Sequence, residues 1–231
     1  KNSAKILVIR EQGVGDEILY GTIYTDLLNK YSNVVIECDE RLIPLFKNSF
    51  QKKQFRKFVK LGLYSSDFSE VKNFDYIFYA GSLGRIFRRN LKSFSQKPYL
   101  KNIENYNDIE RDNILNKNQG LKIGISWKSF KNRYSSEKSL ELKDFNNILE
   151  LNNTSIFNLQ YGDVKDELTN FLNRNNYKII TLSKLDLFNN LSGLANLLSK
   201  LDYFITVSNS TAHLAGALGI KTILIKPSNH A

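Results

Sequence analysis

Methionine is absent from the 231 residues, while cysteine and tryptophan each occur once and histidine twice. The single thiol, Cys38, excludes a disulfide framework and leaves thiolate metal clusters without ligands, which fits a reducing compartment. No apolar run approaches the roughly 18 to 20 residues that a membrane-spanning helix needs, and the N-terminus lacks a signal-peptide pattern. A soluble, cytoplasmic chain is therefore expected. Acidic residues are also in deficit: 23 Asp and Glu against 33 Lys and Arg give a net charge of +10. That balance favours anionic partners such as nucleotide phosphates, an acidic membrane surface or nucleic acid, or else reflects a solvated basic surface. The chain begins at Lys1 and stops shortly after an apparent strand at 222–225, from which we expect a segment of a longer protein.

What is present alternates. Lys5 to Arg10 (KILVIR) reads as a buried parallel strand, followed by Glu11-Gln12-Gly13-Val14-Gly15-Asp16 and a helix through Leu28 with Leu19, Ile23 and Leu27 as its apolar stripe. Val34 to Glu37 predicts a second strand, Arg41 to Phe50 a helix, the region of Phe58 to Leu61 a third strand and Tyr76 to Ala80 a fourth. Periodicity fades from Arg85 to Gln119, where we expect a connector with a surface helix and a domain boundary at Gln119-Gly120. The rhythm then restarts. Strands are expected at Lys122 to Ser126, Ser155 to Leu159, Lys178 to Leu182, Tyr203 to Val207 and Thr222 to Ile225. Helices are expected at Leu142 to Leu151, Val164 to Asn173, Leu191 to Leu201 and His213 to Leu218. Strand and helix in alternation imply an α/β protein with two successive doubly wound parallel sheets, over residues 1–119 and 120–231.

The most informative stretch is Tyr203 to Gly219 (YFITVSNSTAHLAGALG). A β-branched strand runs into four capping residues, Ser208, Asn209, Ser210 and Thr211, and then into a small-residue helix closed by Gly219. Unpaired amides and a positive helix end at the carboxyl edge of a sheet suit a phosphate, and His213 would face the same spot. In the first half, Gly13 and Gly15 let a ligand approach the backbone beside Asp16, a candidate general base or else a helix cap. Glu11 is a second acidic candidate, for acceptor contact or for tuning Asp16. The Gly13-x-Gly15 pair does not make a dinucleotide fingerprint, because Ile18 occupies the third glycine's place and Glu11 and Asp16 would repel a pyrophosphate. Gln160 and Tyr161 end a strand where they could meet the base or ribose of a nucleotide or simply form an ordinary strand-end loop, and Trp127 could stack on a ring or simply pack. Arg85, Arg88 and Arg89 could bind an anion or form a solvated helix face. No ligand set at metal spacing surrounds His213.

Five stretches occur in order: REQGVGDEILYGTIYTDLL, GSLGRIFRRNLKSFSQKPYL, IGISWKS followed by KSLELKDFNNIL, FNLQYGD, and LDYFITVSNSTAHLAGALG. Together they resemble the glycosyltransferase region of bacterial tetratricopeptide-repeat proteins. That region is similar to the ADP-heptose:lipopolysaccharide heptosyltransferases of glycosyltransferase family 9 and, more distantly, to the O-linked N-acetylglucosamine transferases. The resemblance implies a GT-B fold, two Rossmann-like sheets facing across a cleft, with the C-terminal lobe cut short here. It implies an inverting, metal-independent transferase with no cofactor, holding a nucleotide-sugar donor in the C-terminal domain and an acceptor, a glycan, lipopolysaccharide or protein hydroxyl, in the N-terminal one. By the same resemblance Asp16 is the base, and Lys138 meets the donor phosphates with Ser208, Asn209, Ser210, Thr211 and His213. Lys128 and Arg133 are nearby substitutes for Lys138. The family's aspartate before the central helix is replaced by Ser208, which bears on the identity of the donor. A location at the inner face of the inner membrane, with peripheral membrane contact, is compatible with this reading.

Three rivals are retained: a nucleotide-sugar 2-epimerase on the same scaffold, a non-catalytic nucleotide-sugar-binding domain, and a basic nucleic-acid module. The last needs aromatics interleaved with basic residues on an exposed sheet, and Gln51 to Lys60 is too short a match, so no nucleic-acid partner is expected.

Overall fold

The computed structural model describes residues 2–50, 54–57, 71–103, 106–130 and 137–227. The chain divides into two units, residues 1–102 and 103–231. In the first unit, β1 (Asn2–Ile9), β2 (Tyr31–Cys38), β3 (Phe55–Lys57) and β4 (Tyr76–Tyr79) form a parallel sheet in the order β3-β2-β1-β4. The third strand thus precedes the position expected from the sequence, and 58–61 lies outside the described residues.

Helices α1 (Val14–Gly21) and α2 (Tyr24–Lys30) replace the single helix expected up to Leu28. The break falls at Thr22, whose amide and hydroxyl both turn back to the carbonyl of Leu19, at 3.3 and 2.9 Å. It also rotates the buried face. Ile18, Ile23, Leu27 and Leu28 are buried, whereas Leu19, expected on the apolar stripe, is 50% exposed. Helix α3 (Ile43–Phe50) brings Phe46 and Phe50 against Tyr24 and Phe55, with ring centroids 5.4 to 6.3 Å apart. Aromatic burial of this kind supplies much of the unit's core. The segment after β4 holds one helical turn, α4 (Gly84–Phe87).

The second unit begins at Ile103, seventeen residues ahead of the boundary drawn from the sequence at 119–120, and its first helix is α5 (Ile109–Lys117). Arg111 is the physical reason. Its guanidinium is buried and donates to Asn196, to the carboxylate of Asp112 and, at 3.1 Å, to the carbonyl of Tyr106. Asn196 lies on a helix of the second unit, so Ile103 and Arg111 are tied to that unit by polar bonds that hydropathy does not register.

Strands β5 (Leu121–Ser126), β6 (Thr154–Asn158), β7 (Ile179–Ile180), β8 (Tyr203–Val207) and β9 (Thr222–Ile225) form a second parallel sheet, ordered β7-β6-β5-β8-β9. The helices are α6 (Asn146–Leu149), α7 (Lys165–Arg174), α8 (Leu191–Leu198) and α9 (Ser210–Leu218). Residues 142–145 are wound as a 3-10 turn, so the helix expected from Leu142 is tighter at its start. Gly219 closes α9 with φ at 76°, a left-handed conformation that any side chain would strain. A core of Ile123, Ile125, Trp127, Phe145, Ile156 and Ile205 lies against the sheet. Among the described residues no helix is long and apolar enough to cross a membrane.

Candidate functional site

Each sheet reverses its strand order once, between β1 and β4 in the first unit and between β5 and β8 in the second. Connections on either side of such a reversal run to opposite faces, leaving a crevice at the carboxyl ends of the strands where α/β proteins place ligands. Glu11 to Asp16 follow β1, Trp127 and Lys138 follow β5 and Ser208 to His213 follow β8, at these two reversals, whereas Gln160 and Tyr161 follow β6.

In the first unit, the chain leaving β1 passes through Gln12 in the left-handed region, φ 58°, and enters α1 at Gly13. Gly13 is extended, with φ at −103°, so glycine is not needed there for its backbone angle. What its hydrogen side chain leaves is space, since an added Cβ would meet only the Asp16 carboxylate, at 3.7 Å. Asp16 is half-buried in the first turn and its Oδ2 accepts the Gly13 amide at 3.1 Å. Its helix-capping role is therefore real, and the same bond orients the carboxylate. Glu11 does something else: its Oε2 accepts the amide of Gly81 at 2.7 Å, tying the loop after β1 to the loop after β4. A Cβ on Gly81 would lie 2.9 Å from that oxygen and 3.1 Å from the Tyr20 ring, so the ends of those two side chains would have to give way.

Glu17 was not foreseen. It is 1% exposed, accepts the amide of Asp39 at 2.7 Å and lies 2.5 Å from the Arg10 guanidinium. Burial pushes its carboxyl up to about 7, against the opposing pull of the Asp39 amide and Arg10. Asp39 in turn holds Arg41 at 2.8 Å, and that hydrogen bond keeps the Asp39 carboxyl below the usual range. The ends of β1 and β2 are thus joined through charged groups around α1. A glutamate adjoining a candidate acid, with Arg10 and Asp39 at the ends of the flanking strands, was the available signal. Arg88 forms neither an anion site nor a solvated face: it donates to Asp26 at 2.7 Å and to the Thr22 carbonyl at 2.6 Å.

In the second unit, Asn209 caps α9 by accepting the Ala212 amide at 3.0 Å. Its Nδ2 donates to the Ser126 hydroxyl at 2.8 Å and to the Lys128 carbonyl at 3.3 Å, so the turn after β8 is bolted to the end of β5. With Asn209 occupied in this way, the amides of Ser210 and Thr211 are those the helix's own bonding pattern does not use. Ser208, Ser210 and His213 are half-buried, and Thr211 is buried. Lys138 sits in a turn held to the end of β5 by the Leu140 amide on the Trp127 carbonyl, 2.8 Å, and the Ser129 amide on the Ser139 hydroxyl, 3.2 Å. Lys128 is paired with Glu167 at 2.6 Å. Arg133 lies outside the described residues.

Gln160 and Trp127 turn inward. Trp127 packs in the core with its indole N–H on Glu167 at 3.2 Å, which resolves the choice left open from the sequence and corrects the assignment to a nucleoside. Gln160 is 3% exposed, and its Oε1 accepts the Ser126 hydroxyl and the Trp127 and Lys128 amides at 3.0, 2.8 and 2.6 Å. Its amide is spent on the protein, which corrects the expectation that it meets a base or ribose directly. Tyr161 remains half-buried at the same edge. Among the described residues no group of three His, Cys, Asp or Glu side chains could hold a metal ion.

No model of a protein family matches the chain. FlbA of Caulobacter vibrioides is similar, 24% identical over 234 residues that cover 96% of this chain and 39% of FlbA. The chain thus spans about two fifths of the length of that relative. Solved structures share the fold at low identity. The glycosyl transferase family 9 protein of Veillonella parvula matches with a TM-score of 0.69 at 13% identity, covering 100% of this chain and 83% of that one. The E. coli ADP-heptose lps heptosyltransferase II matches at 0.62 and 12%, covering 95% and 84%. E. coli heptosyltransferase WaaC with ADP matches at 0.60 and 12%, covering 98% and 88%. The two parallel sheets and their helices therefore have the fold of the heptosyltransferases.

Proposed function

We propose that the chain is the glycosyltransferase region of a GT-B enzyme that moves a sugar from a nucleotide-sugar donor to an acceptor hydroxyl with inversion and without a metal. The observation that carries this reading is the β5–β8 reversal, where the amino end of α9, capped by Asn209, and the turn bearing Lys138 are both bonded to the end of β5. Amide groups and a cation at a switch point suit a diphosphate. The fold shared with proteins whose structures hold ADP and ADP-2-deoxy-2-fluoro heptose supports the same assignment.

In the proposed reaction the acceptor oxygen attacks the anomeric carbon as the bond from that carbon to the diphosphate oxygen breaks. The electron pair leaves with the nucleoside diphosphate. Developing charge is met by the amides of Ser210 and Thr211, by Lys138 and by His213, a form of preorganised electrostatic stabilisation that stands in for a divalent ion. Asp16 takes the acceptor's proton. The Gly13 contact aims the carboxylate.

Asp16→Asn separates chemistry from binding. Transfer should fall by about 100-fold or more while nucleotide-sugar binding, followed by thermal shift, stays within twofold. Unchanged transfer would remove Asp16 from the mechanism, and the absence of a shift with any ADP-, GDP- or UDP-sugar would sink the reading as a whole.

A further inference from the structure

From Tyr76 to Ile103 the chain carries six Lys and Arg and no Asp or Glu over 28 residues. A run of one sign could be a solvated face, but this one also presents apolar side chains. Leu91 is 89% exposed and Phe94 52%, and Arg89, Lys92 and Lys97 around them are exposed. The segment that carries them is held. Leu91–Ser93 forms a 3-10 turn in which Asn90 accepts the Ser93 amide at 3.2 Å and the Ser93 hydroxyl donates to the Asn90 carbonyl at 2.6 Å. Before the turn, Arg88 donates to the Thr22 carbonyl at 2.6 Å and to Asp26 at 2.7 Å, and its guanidinium lies 5.7 Å from the centre of the Phe94 ring. After the turn, the Tyr99 hydroxyl donates to the carbonyl of Ile18 in α1. Both ends of the segment are thus fastened to α1 and α2, and the fold itself keeps Leu91 in water. Asp26 is spent on Arg88, and among the described residues no ion pair involves Arg89, Lys92 or Lys97.

We propose that Arg89, Leu91, Lys92, Phe94 and Lys97 form a docking surface for an anionic lipid bilayer. Leu91 and Phe94 enter the headgroup layer, and the three cations meet lipid phosphates. This role lies outside the transfer reaction and does not depend on it. Charge complementarity selects an anionic occupant, and the apolar pair selects among anions. A nucleic acid would satisfy the cations but leave Leu91 in water, because an aliphatic side chain neither stacks on a base nor pairs with a phosphate. A bilayer answers both halves of the strip: its anionic surface attracts each nearby cation, and its acyl boundary takes up apolar side chains. Because the turn is already ordered, little conformational freedom is lost when it docks.

The test is cosedimentation of the whole chain with vesicles of phosphatidylcholine alone and of an equal mixture with phosphatidylglycerol. The anionic vesicles should bind about 100-fold more tightly, at about fivefold per cation, and high salt should shrink the difference. Arg89→Gln, Lys92→Gln and Lys97→Gln together should abolish that preference, while Leu91→Ser should weaken binding to anionic vesicles by about 10-fold. Leu91→Trp should acquire an emission that shifts to the blue when anionic vesicles are added. All four positions are exposed, so the variants should melt with the parent. Equal binding to both vesicles, binding to neither, or unchanged affinity in Leu91→Ser would overturn the docking surface. So would tighter binding to a single-stranded RNA oligonucleotide than to anionic vesicles, lost in the triple variant, which would assign the strip to nucleic acid. Thermal shifts with nucleotide sugars should be the same in parent and variants, so failure of the docking surface and failure of the proposed function are read separately.

Discussion

Replacing Gln160 by Leu removes the acceptor that the end of β5 depends on while nearly preserving volume, so cavity effects are small and polar ones dominate. Three donors lose their partner: the hydroxyl of Ser126 and the amides of Trp127 and Lys128, at 3.0, 2.8 and 2.6 Å from Oε1. An orphaned buried donor costs about 1 to 3 kcal/mol. The Ser126 hydroxyl can rotate, and the Lys128 amide is only partly buried, so the sum should lie near the low end, about 2 to 4 kcal/mol. Trp127 is the single tryptophan and its own amide is one of the orphans, so its fluorescence reports the site directly. In urea the midpoint should fall by about 1 to 2 M at an unchanged slope. Below that midpoint, nucleotide binding should also weaken, because Asn209 shares the Ser126 hydroxyl and the Lys128 carbonyl with this network. A midpoint shift under about 0.3 M would refute the idea that Gln160 holds the β5 turn and the α9 cap together.

Other outcomes follow from single contacts. Glu17, raised by burial from its ordinary 4.5 to about 7, keeps a proton in the folded chain that the unfolded chain releases. Its contribution to stability is therefore fully present below pH 4.5 and is lost as pH rises to about 7, by about 1.4 kcal/mol per pH unit and about 3 kcal/mol in all. Hydrogen exchange of β1 and β2 amides in Glu17→Gln should show that slope flattened, and parallel pH profiles for variant and parent would contradict it. Asn209→Ala should cost about 1 kcal/mol through the lost cap alone, more through the lost bridge to Ser126, and weaken nucleotide binding; a thermal melt with and without ADP checks both.

How far the sequence could be read depends on what each residue type advertises. Strands of β-branched residues announce themselves, and β8 and β9 begin and end where expected, at Tyr203–Val207 and Thr222–Ile225. The left-handed Gly219 is equally legible, because few residue types suit that position, whereas the run Ser208 to Thr211 offered four possible caps and the helix starts at Ser210, three residues before the expected His213, with Asn209 as its cap. Period-based reading fails at Thr22, where a hydrogen bond to a carbonyl three residues back interrupts the helix without disturbing the spacing of apolar residues. It fails again at Arg111, whose charge reads as surface but whose guanidinium is buried against Asn196.

At the candidate sites the same distinction separates the residues that sequence reasoning named from those whose structural part it did not register. Ser208–Thr211 stood out as candidates because they form a turn of capping residues, whereas the roles of Asp16 as base and of Lys138 were suggested by the family resemblance. Glu17 and Gln160 sit beside those turns and face inward, where a polar group survives only by satisfying its neighbours. Both were readable as polar and neither as structural, since partners such as Asp39 for Glu17, or Ser126 for Gln160, are 22 and 34 residues away along the chain. The two buried groups nevertheless set the geometry of the visible ones: Glu17 fixes the helix that bears Asp16, and Gln160 fixes the strand end to which the cap of α9 is bonded. Substitutions at these inner positions should therefore alter function through displacement of the turn residues, and the Gln160 and Glu17 variants measure that dependence from opposite units of the chain.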